Sequence, residues 1–288
     1  MERFMRTAIM TDTNSGLTRE EARRLGVYLL PMPVVVNGQV YYEGESISEE
    51  AFYAAQLSGA AVSTSQPSPG DVLAMWERAF ADGFDQVVYL PMSSGLSHSY
   101  EAAAALAADD RRVYVVDNHR ISFTLYRSVL QAAELSGQGA DAAQIKGILE
   151  REAYQASIYI AVDTLEYLKK GGRITSAAAL VGGMLNIKPV LTIQGEKLDA
   201  FAKARGMKKC VQLMVQALRD DADTRFRDAG QGRLRAAIAG TALDDQTVAG
   251  LRAVLGEAFP GQEIPYLPLS VSIGCHTGPG AIGMAVSL

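Results

Sequence analysis

Short apolar runs alternate with amphipathic ones along the first 150 residues. TAIMTDT (7–13), DQVVYLPMSS (85–94) and RRVYVVDN (111–118) are compact blocks rich in β-branched and aromatic residues, each closing on small polar side chains. Such blocks read as strands, and the denser ones as buried strands. Between them, TREEARRLG (18–26), SEEAFYAAQLS (48–58), DVLAMWERAFADG (71–83) and SHSYEAAAALAADD (97–110) read as helices. In the third of these, Leu73, Trp76 and Phe80 fall on one helical face. VYLLPMPVVVNGQVYYEGE (27–45) reads as extended segments folded at Asn37-Gly38, a strong hairpin-turn pair. Strand, helix, strand in this rhythm predicts βαβ units and a mostly parallel sheet.

The pattern changes near residue 158. IYIAVDT (158–164) is a strand, and Asp163 or Thr164 is placed to cap LEYLKK (165–170), which Gly171-Gly172 stops. AAALVGGML (177–185) reads as a short apolar helix, and KPVLTIQGEKLDAFAKARG (188–206) as two strands around Gly195. A helix (208–221), a strand (233–240), a helix (246–259) and two closing strands complete the chain. Antiparallel hairpins among helices predict an α+β region. The expected architecture is therefore α/β with two domains. One is an N-terminal mostly parallel sheet with flanking helices (1–157); the other is a C-terminal α+β mixed-sheet domain (158–288).

Composition narrows the function classes. Hydrophobic residues make up 48% and charged residues 20% of 288, ordinary for a soluble globular protein. The net charge is −5 with no basic block, which argues against nucleic acid as a partner. MERFMRTAIMTD has basic residues but no apolar signal region, and no run reaches the length of a membrane span. Cys210 and Cys275 form neither a CxxC motif nor a disulfide framework. The expected location is cytoplasmic. GxxxxGK[ST] is absent, as is GxGxxG after a strand, so no nucleotide cofactor is expected.

The predicted strands end in Asp12-Thr13, Ser93-Ser94 and Asp117-Asn118, and ligands of open parallel sheets sit beyond such ends. Ser93 and Ser94 precede a helix expected to begin near Leu96, whose free N–H groups and dipole suit a carboxylate or phosphate. A mere helix cap at Ser94 or Ser97 is an equally simple reading. In STSQPSPG (63–70), Thr64 and Ser65 offer donors to an anion, while Ser68 suits a cap. Arg173 lies past the glycine stop of its helix, free to meet a phosphate or a partner. His276 in SIGCHTGPG (272–280) is one of three histidines; His98, His119 and His276 show no metal-binding spacing, and no metal is expected. A structural histidine and a ligand contact are both open for His276. Ser93 or Ser94 with His276 as base would make a small-acyl hydrolase or transferase, although GxSxG is absent.

Taken in order, EEAFYAAQ, TSQPSPGD, MSSGLSHSYEAA, VDTLEYLKKGGRI, LNIKPVLTIQGEKL, KARGMKKC and IGCHTGPGAIG resemble the DegV family of bacterial fatty-acid-binding proteins. The resemblance runs from Thr11 to Val286. It implies the DegV-type EDD fold, with a long-chain fatty acid buried between two domains and no other cofactor. It further implies that Thr64, Ser93 and the Ser94 N–H hold the lipid carboxylate, with His276 nearby. The protein would be a lipid-binding subunit rather than an enzyme. It would present the fatty acid to a separate ATP-dependent fatty acid kinase that makes the acyl-phosphate, a step in which Arg173 is implicated. A lipid-responsive regulator without a kinase partner is the other implied role. The chain departs from the family pattern at two places. Leu96-Ser97-His98-Ser99-Tyr100 stands where the family has Leu-Ser-Gly-Thr-Tyr, and Ser122-Phe123-Thr124-Leu125-Tyr126 replaces a glycine-rich turn. His98, Phe123 and Tyr126 thereby become candidates for shaping the cavity.

Overall fold

Each buried block became a strand, and its polar end became the rim of a sheet. The computed structural model describes residues 5–173, 186–195, 197–229 and 233–288. It divides into two units: residues 1–121 with 125–154, and residues 122–124 with 155–288.

The first unit contains β1 (Thr7–Asp12), α1 (Arg19–Leu25), β2 (Val27–Leu30), β3 (Pro33–Val36), β4 (Gln39–Tyr42), α2 (Glu49–Leu57), β5 (Val62–Thr64), α3 (Pro69–Ala81), β6 (Gln86–Leu90), α4 (Ser99–Ala107), β7 (Val113–Val115), most of α5 (Ser122–Gly137) and α6 (Ala142–Arg151). Four strands form a parallel sheet in the order β2-β1-β6-β7, with Thr7 paired to Gln86 and Thr11 to Leu90. Side chains alternate across it. Ile9, Val88 and Leu90 face Leu125, Val129, Ile145 and Leu149 of α5 and α6. Ala8, Met10, Val87 and Tyr89 face Val72, Trp76 and Ala79 of α3 and Ala103 of α4. The order reverses between β1 and β6, so Asp12 and the loop after Leu90 flank a topological switch point. β3 and β4 form the expected hairpin, with Asn37 at φ 50° and Gly38 at φ 82°, and β5 pairs on the far side of β3.

The second unit contains β8 (Ala156–Ala161), α7 (Glu166–Lys170), β9 (Ile187–Ile193), β10 (Asp199–Arg205), α8 (Met207–Asp223), β11 (Arg235–Gly240), α9 (Asp245–Ala258), β12 (Tyr266–Pro268), α10 (Val271–Thr277) and β13 (Ile282–Ser287). Its six strands run β10-β9-β8-β13-β11-β12, antiparallel except for the parallel pair β11–β12. One face packs on Cys210, Met214 and Leu218 of α8 and Leu251 and Leu255 of α9. The other carries Leu168 of α7, with Ile273 of α10 against it. The α/β class, with a parallel N-terminal sheet and a mixed C-terminal one, is as expected.

Three local expectations change. Leu73 is 41% exposed, because the buried stripe of α3 runs through Val72, Trp76 and Ala79 instead. The helix expected near Leu96 starts at Ser99, since a turn closed by Leu96 and Ser97 N–H groups on the Ser93 carbonyl comes first. VSIGCHT, which resembles a strand, is the helix α10; Ser270 caps it by accepting the Ile273 N–H, and packing outweighs the weak helix propensity of Val, Ser and Gly. AAALVGGML lies outside the described residues.

Trp76→Ala is expected to cost about 3–5 kcal/mol in urea unfolding, while Leu73→Lys stays within about 0.5 kcal/mol of the parent. Equal losses at the two positions would contradict the stripe assigned to α3.

Candidate functional site

The Ser93–Ser94 turn follows β6 at the switch point and is pinned from both neighbouring strands. Asp12, at the end of β1 and fully buried, accepts the Met92 N–H on Oδ2 and the Asn14 N–H on Oδ1, both at 2.9 Å. Burial raises its carboxyl to about 6, against the lowering effect of those hydrogen bonds. On the β7 side the Ser93 N–H donates to the Arg120 carbonyl at 2.9 Å. Arg120 is 2% exposed; its guanidinium donates to the carbonyls of Glu152 (2.6 Å) and Ala153 (3.3 Å) and to Ser128 Oγ (3.1 Å). Burial lowers its pKa to about 10. Two buried charges thus fix one turn.

Ser93 is fully buried, and its Oγ accepts the Gly95 N–H at 3.2 Å. Ser94 is half-buried, with its N–H 3.5 Å from Asp117 Oδ1. The first free N–H groups of α4 belong to a later stretch than the serine pair, and Ser97 Oγ accepts the Ser99 N–H there. The helix dipole therefore lies beyond the turn rather than on it. Beside Ser94, next to the expected Asp117, sits a side chain that sequence reasoning missed. His119 Nδ1 is 3.4 Å from Ser94 Oγ and 3.6 Å from Asp117 Oδ1. Serine and carboxylate approach the same ring nitrogen, whereas a nucleophilic relay needs them on opposite nitrogens. The signal available in sequence was the polar end Asp117-Asn118, with His119 directly after it.

The other N-terminal candidates take separate places. Thr64 ends β5, half-buried and paired with Val34 of β3. Ser65 is exposed, its N–H 3.5 Å from the Pro33 carbonyl, and Ser68 caps α3 by accepting the Asp71 N–H at 3.1 Å. His98 stands exposed at the N-cap of α4 without a side-chain capping bond. Tyr126 packs against the Val88–Leu90 face, and partial burial raises its phenol. Phe123, clustered with the second unit, is 3% exposed. An open groove of about 650 Å³ along β2, lined by Arg19, Tyr28, Met75 and Arg78 among others, includes none of these candidates.

In the second unit His276 lies on α10 against the end of α7. A side chain on Gly171 would put its Cβ 2.0 Å from His276 Nδ1, and one on Gly278 would meet the Tyr167 ring at 2.3 Å. Each element thus supplies a glycine to the other's ring. Gly171 has an ordinary helical backbone, with φ −80°, so bulk alone requires glycine there; Gly278, at φ 77°, is required by conformation as well. Burial, aided by the charge of Arg173, lowers His276 to about 4, so its imidazole is neutral at pH 7. Arg173 is exposed but not free of its helix: its N–H donates to the Leu168 carbonyl (2.9 Å) and Nη1 to the Gly171 carbonyl (2.6 Å). Carbonyls at a helix C-terminus attract a cation in this way. Burial pushes the neighbouring Cys275 thiol up to about 11, and both cysteines are buried thiols outside any disulfide. Among the described residues no His, Cys, Asp and Glu group is arranged to hold a metal, and no helix is long and apolar enough to cross a membrane.

A parallel sheet with a polar turn at its switch point is joined in one chain to a mixed-sheet unit that carries a half-buried histidine, an α/β architecture. More specifically, residues 6–288 match the family described as "Uncharacterised protein, DegV family", and the chain belongs to the DegV family. A DegV domain-containing protein of Deinococcus radiodurans is 38% identical over 286 residues, covering 98% of each chain. One from Streptomyces coelicolor is 32% identical, covering 97% of this chain and 98% of its own. Among solved structures, the fatty-acid-binding DegV family protein of Thermus thermophilus superposes with a TM-score of 0.88 at 36% identity, covering 99% of this chain and all of its own. The fatty-acid-binding DegV of Bacillus subtilis gives 0.85 at 27% identity over 99% of both.

Gly171→Ala is expected to displace the His276 ring and to cost about 1–3 kcal/mol, read as a lowered Tm and a shifted imidazole NMR signal. An unmoved imidazole signal would remove the contact from the account.

The pH dependence of stability has a defined sign. His276 titrates lower in the folded chain than in the unfolded one, so its contribution is complete above about pH 6.5 and is lost as pH falls toward 4. That loss is on the order of 3 kcal/mol. Asp12, raised to about 6, acts oppositely: the stability it leaves intact below its ordinary range is lost as pH rises through 6. The difference between the parent and His276→Gln, followed by urea unfolding from pH 4 to 7, isolates the histidine. It should shrink on acidification; a difference independent of pH would show that the imidazole does not titrate as described.

Proposed function

We propose that this protein binds a long-chain fatty acid and presents its carboxylate to a separate ATP-dependent fatty acid kinase. The observation that carries the reading is the Ser93–Ser94 turn at the switch point, in a chain 36% identical to a fatty-acid-binding DegV protein along almost its full length. Thr64 and Ser93 supply hydroxyls and Ser94 a backbone N–H, while His276, neutral at pH 7, contributes a hydrogen bond rather than an opposite charge. Burial of the acyl chain supplies the driving force. At about 0.8 kcal/mol per methylene, a long chain gains on the order of 10 kcal/mol before ordering costs. The head group then needs only enough hydrogen bonds to offset its desolvation. Phosphorylation joins a carboxylate oxygen to the γ-phosphorus of ATP and releases ADP, and the nucleotide comes with the kinase. The exposed guanidinium of Arg173, at the end of α7, suits an encounter with that partner or with the phosphate.

Purified protein, denatured and extracted with organic solvent, should release a fatty acid near one equivalent by mass spectrometry. Thr64→Ala with Ser93→Ala should reduce the retained lipid about tenfold or more while circular dichroism stays unchanged. Protein that releases no fatty acid, binds none on addition and turns over an ester substrate would overturn the reading in favour of an acyl hydrolase.

A further inference from the structure

We propose that His119, with Asp117 behind it, is a positioning residue that commits the Ser94 hydroxyl to act as a donor and so sets the site's preference for a carboxylate over a neutral head group. The proposal rests on the fatty-acid reading above. His119 follows β7, and β7 and β6 are parallel neighbours, so the two loops leave the sheet side by side. Its ring is held in three ways. The backbone is left-handed at φ 53°, the N–H lies 3.3 Å from Asp117 Oδ1, and the imidazole stacks on Tyr154 with centroids 5.1 Å apart and planes at 29°. Nδ1 is thereby kept 3.4 Å from Ser94 Oγ and 3.6 Å from Asp117 Oδ1.

A carboxylate beside Nδ1 favours the tautomer that carries its hydrogen there. That N–H donates to Ser94 Oγ at 3.4 Å, while Asp117, at 3.6 Å, acts on it through its charge, so the serine oxygen accepts from the ring. A hydroxyl whose oxygen is engaged as acceptor has its own hydrogen left to give. Among the described residues His119 is its hydrogen-bond neighbour, so that hydrogen is left for a ligand. The opposite tautomer would take the Ser94 hydrogen for itself and leave the serine only lone pairs to offer. A fatty carboxylate only accepts, and gains a charge-assisted bond from such a donor. A fatty alcohol's oxygen also accepts from that donor, but without charge assistance and with a hydrogen of its own still to place.

The test compares hexadecanoic acid with hexadecan-1-ol as competitors of a fluorescent fatty acid on the lipid-stripped full chain. His119→Gly and His119→Asn both accept the left-handed backbone and both lose the stack on Tyr154, but only asparagine returns a polar N–H near the position of Nδ1. His119→Gly should lower the acid-over-alcohol ratio about three- to tenfold, the size of one hydrogen bond, with the acid weakened more than the alcohol. His119→Asn should keep the ratio within about twofold of the parent. In a Ser94→Ala background the glycine substitution should have no further effect. If His119→Gly is recovered unfolded, Ser94→Ala alone must lower the ratio by that factor. An unchanged ratio in His119→Gly, or equal weakening of both ligands, overturns the proposal and leaves the fatty-acid reading standing. A parent that binds neither ligand overturns both.

Discussion

The Ser93–Ser94 turn has its shape because two ionisable groups are buried on either side of it. Asp12 reaches across from β1 to take the Met92 N–H, and Arg120 offers its carbonyl to Ser93 while its guanidinium ties down the end of the helical layer at Glu152 and Ala153. Neither charge would be tolerated in that environment without such bonds. Each is therefore a constraint before it is a source of stability: remove its acceptors or donors and the group must either neutralise or pull water in. The fold accepts a carboxyl raised to about 6 and a guanidinium lowered to about 10 at the point where the sheet order reverses. Rigidity there is what the proposed head-group site requires, because hydrogen-bond geometry, not area, discriminates one polar ligand from another.

In the second unit the corresponding constraint is steric. His276 is held by an absent side chain, and so is Tyr167. The neutral state of the imidazole follows from this seating, since contact with the helix end excludes the water that would solvate a charge, and Arg173 adds repulsion. A neutral imidazole offers one donor and one acceptor, a more adaptable contact than an imidazolium.

The sheet strands, the helices between them and the hairpin at Asn37-Gly38 were legible because their periodicity and turn chemistry are local. The serine pair was legible as the polar end of a strand; Thr64 was legible as a hydroxyl in a Ser- and Pro-rich loop, not as the end of the short strand β5. His119 was not: its proximity to Ser94 comes from the parallel pairing of β6 and β7, which no spacing in the chain announces. Leu73 misled because an apolar residue on a helix can fall one position off the buried stripe. The α10 segment misled more deeply. Its β-branched residues speak for a strand and its glycine against a helix, and only the Ser270 cap and the helix beneath it decide otherwise. Gly171-Gly172 was read as a helix stop, which holds for Gly172 at φ 71°, but the first glycine answers to a ring far along the chain.

That last point bears on how this chain can vary. Position 171 could adopt its backbone with any residue, so nothing in its own neighbourhood of sequence forbids a side chain. The prohibition comes from position 276, and it is conditional: a smaller residue on α10 would lift it. The histidine is therefore recorded twice in the sequence, once as itself and once as the missing atom opposite it. A substitution at either place changes what is permitted at the other.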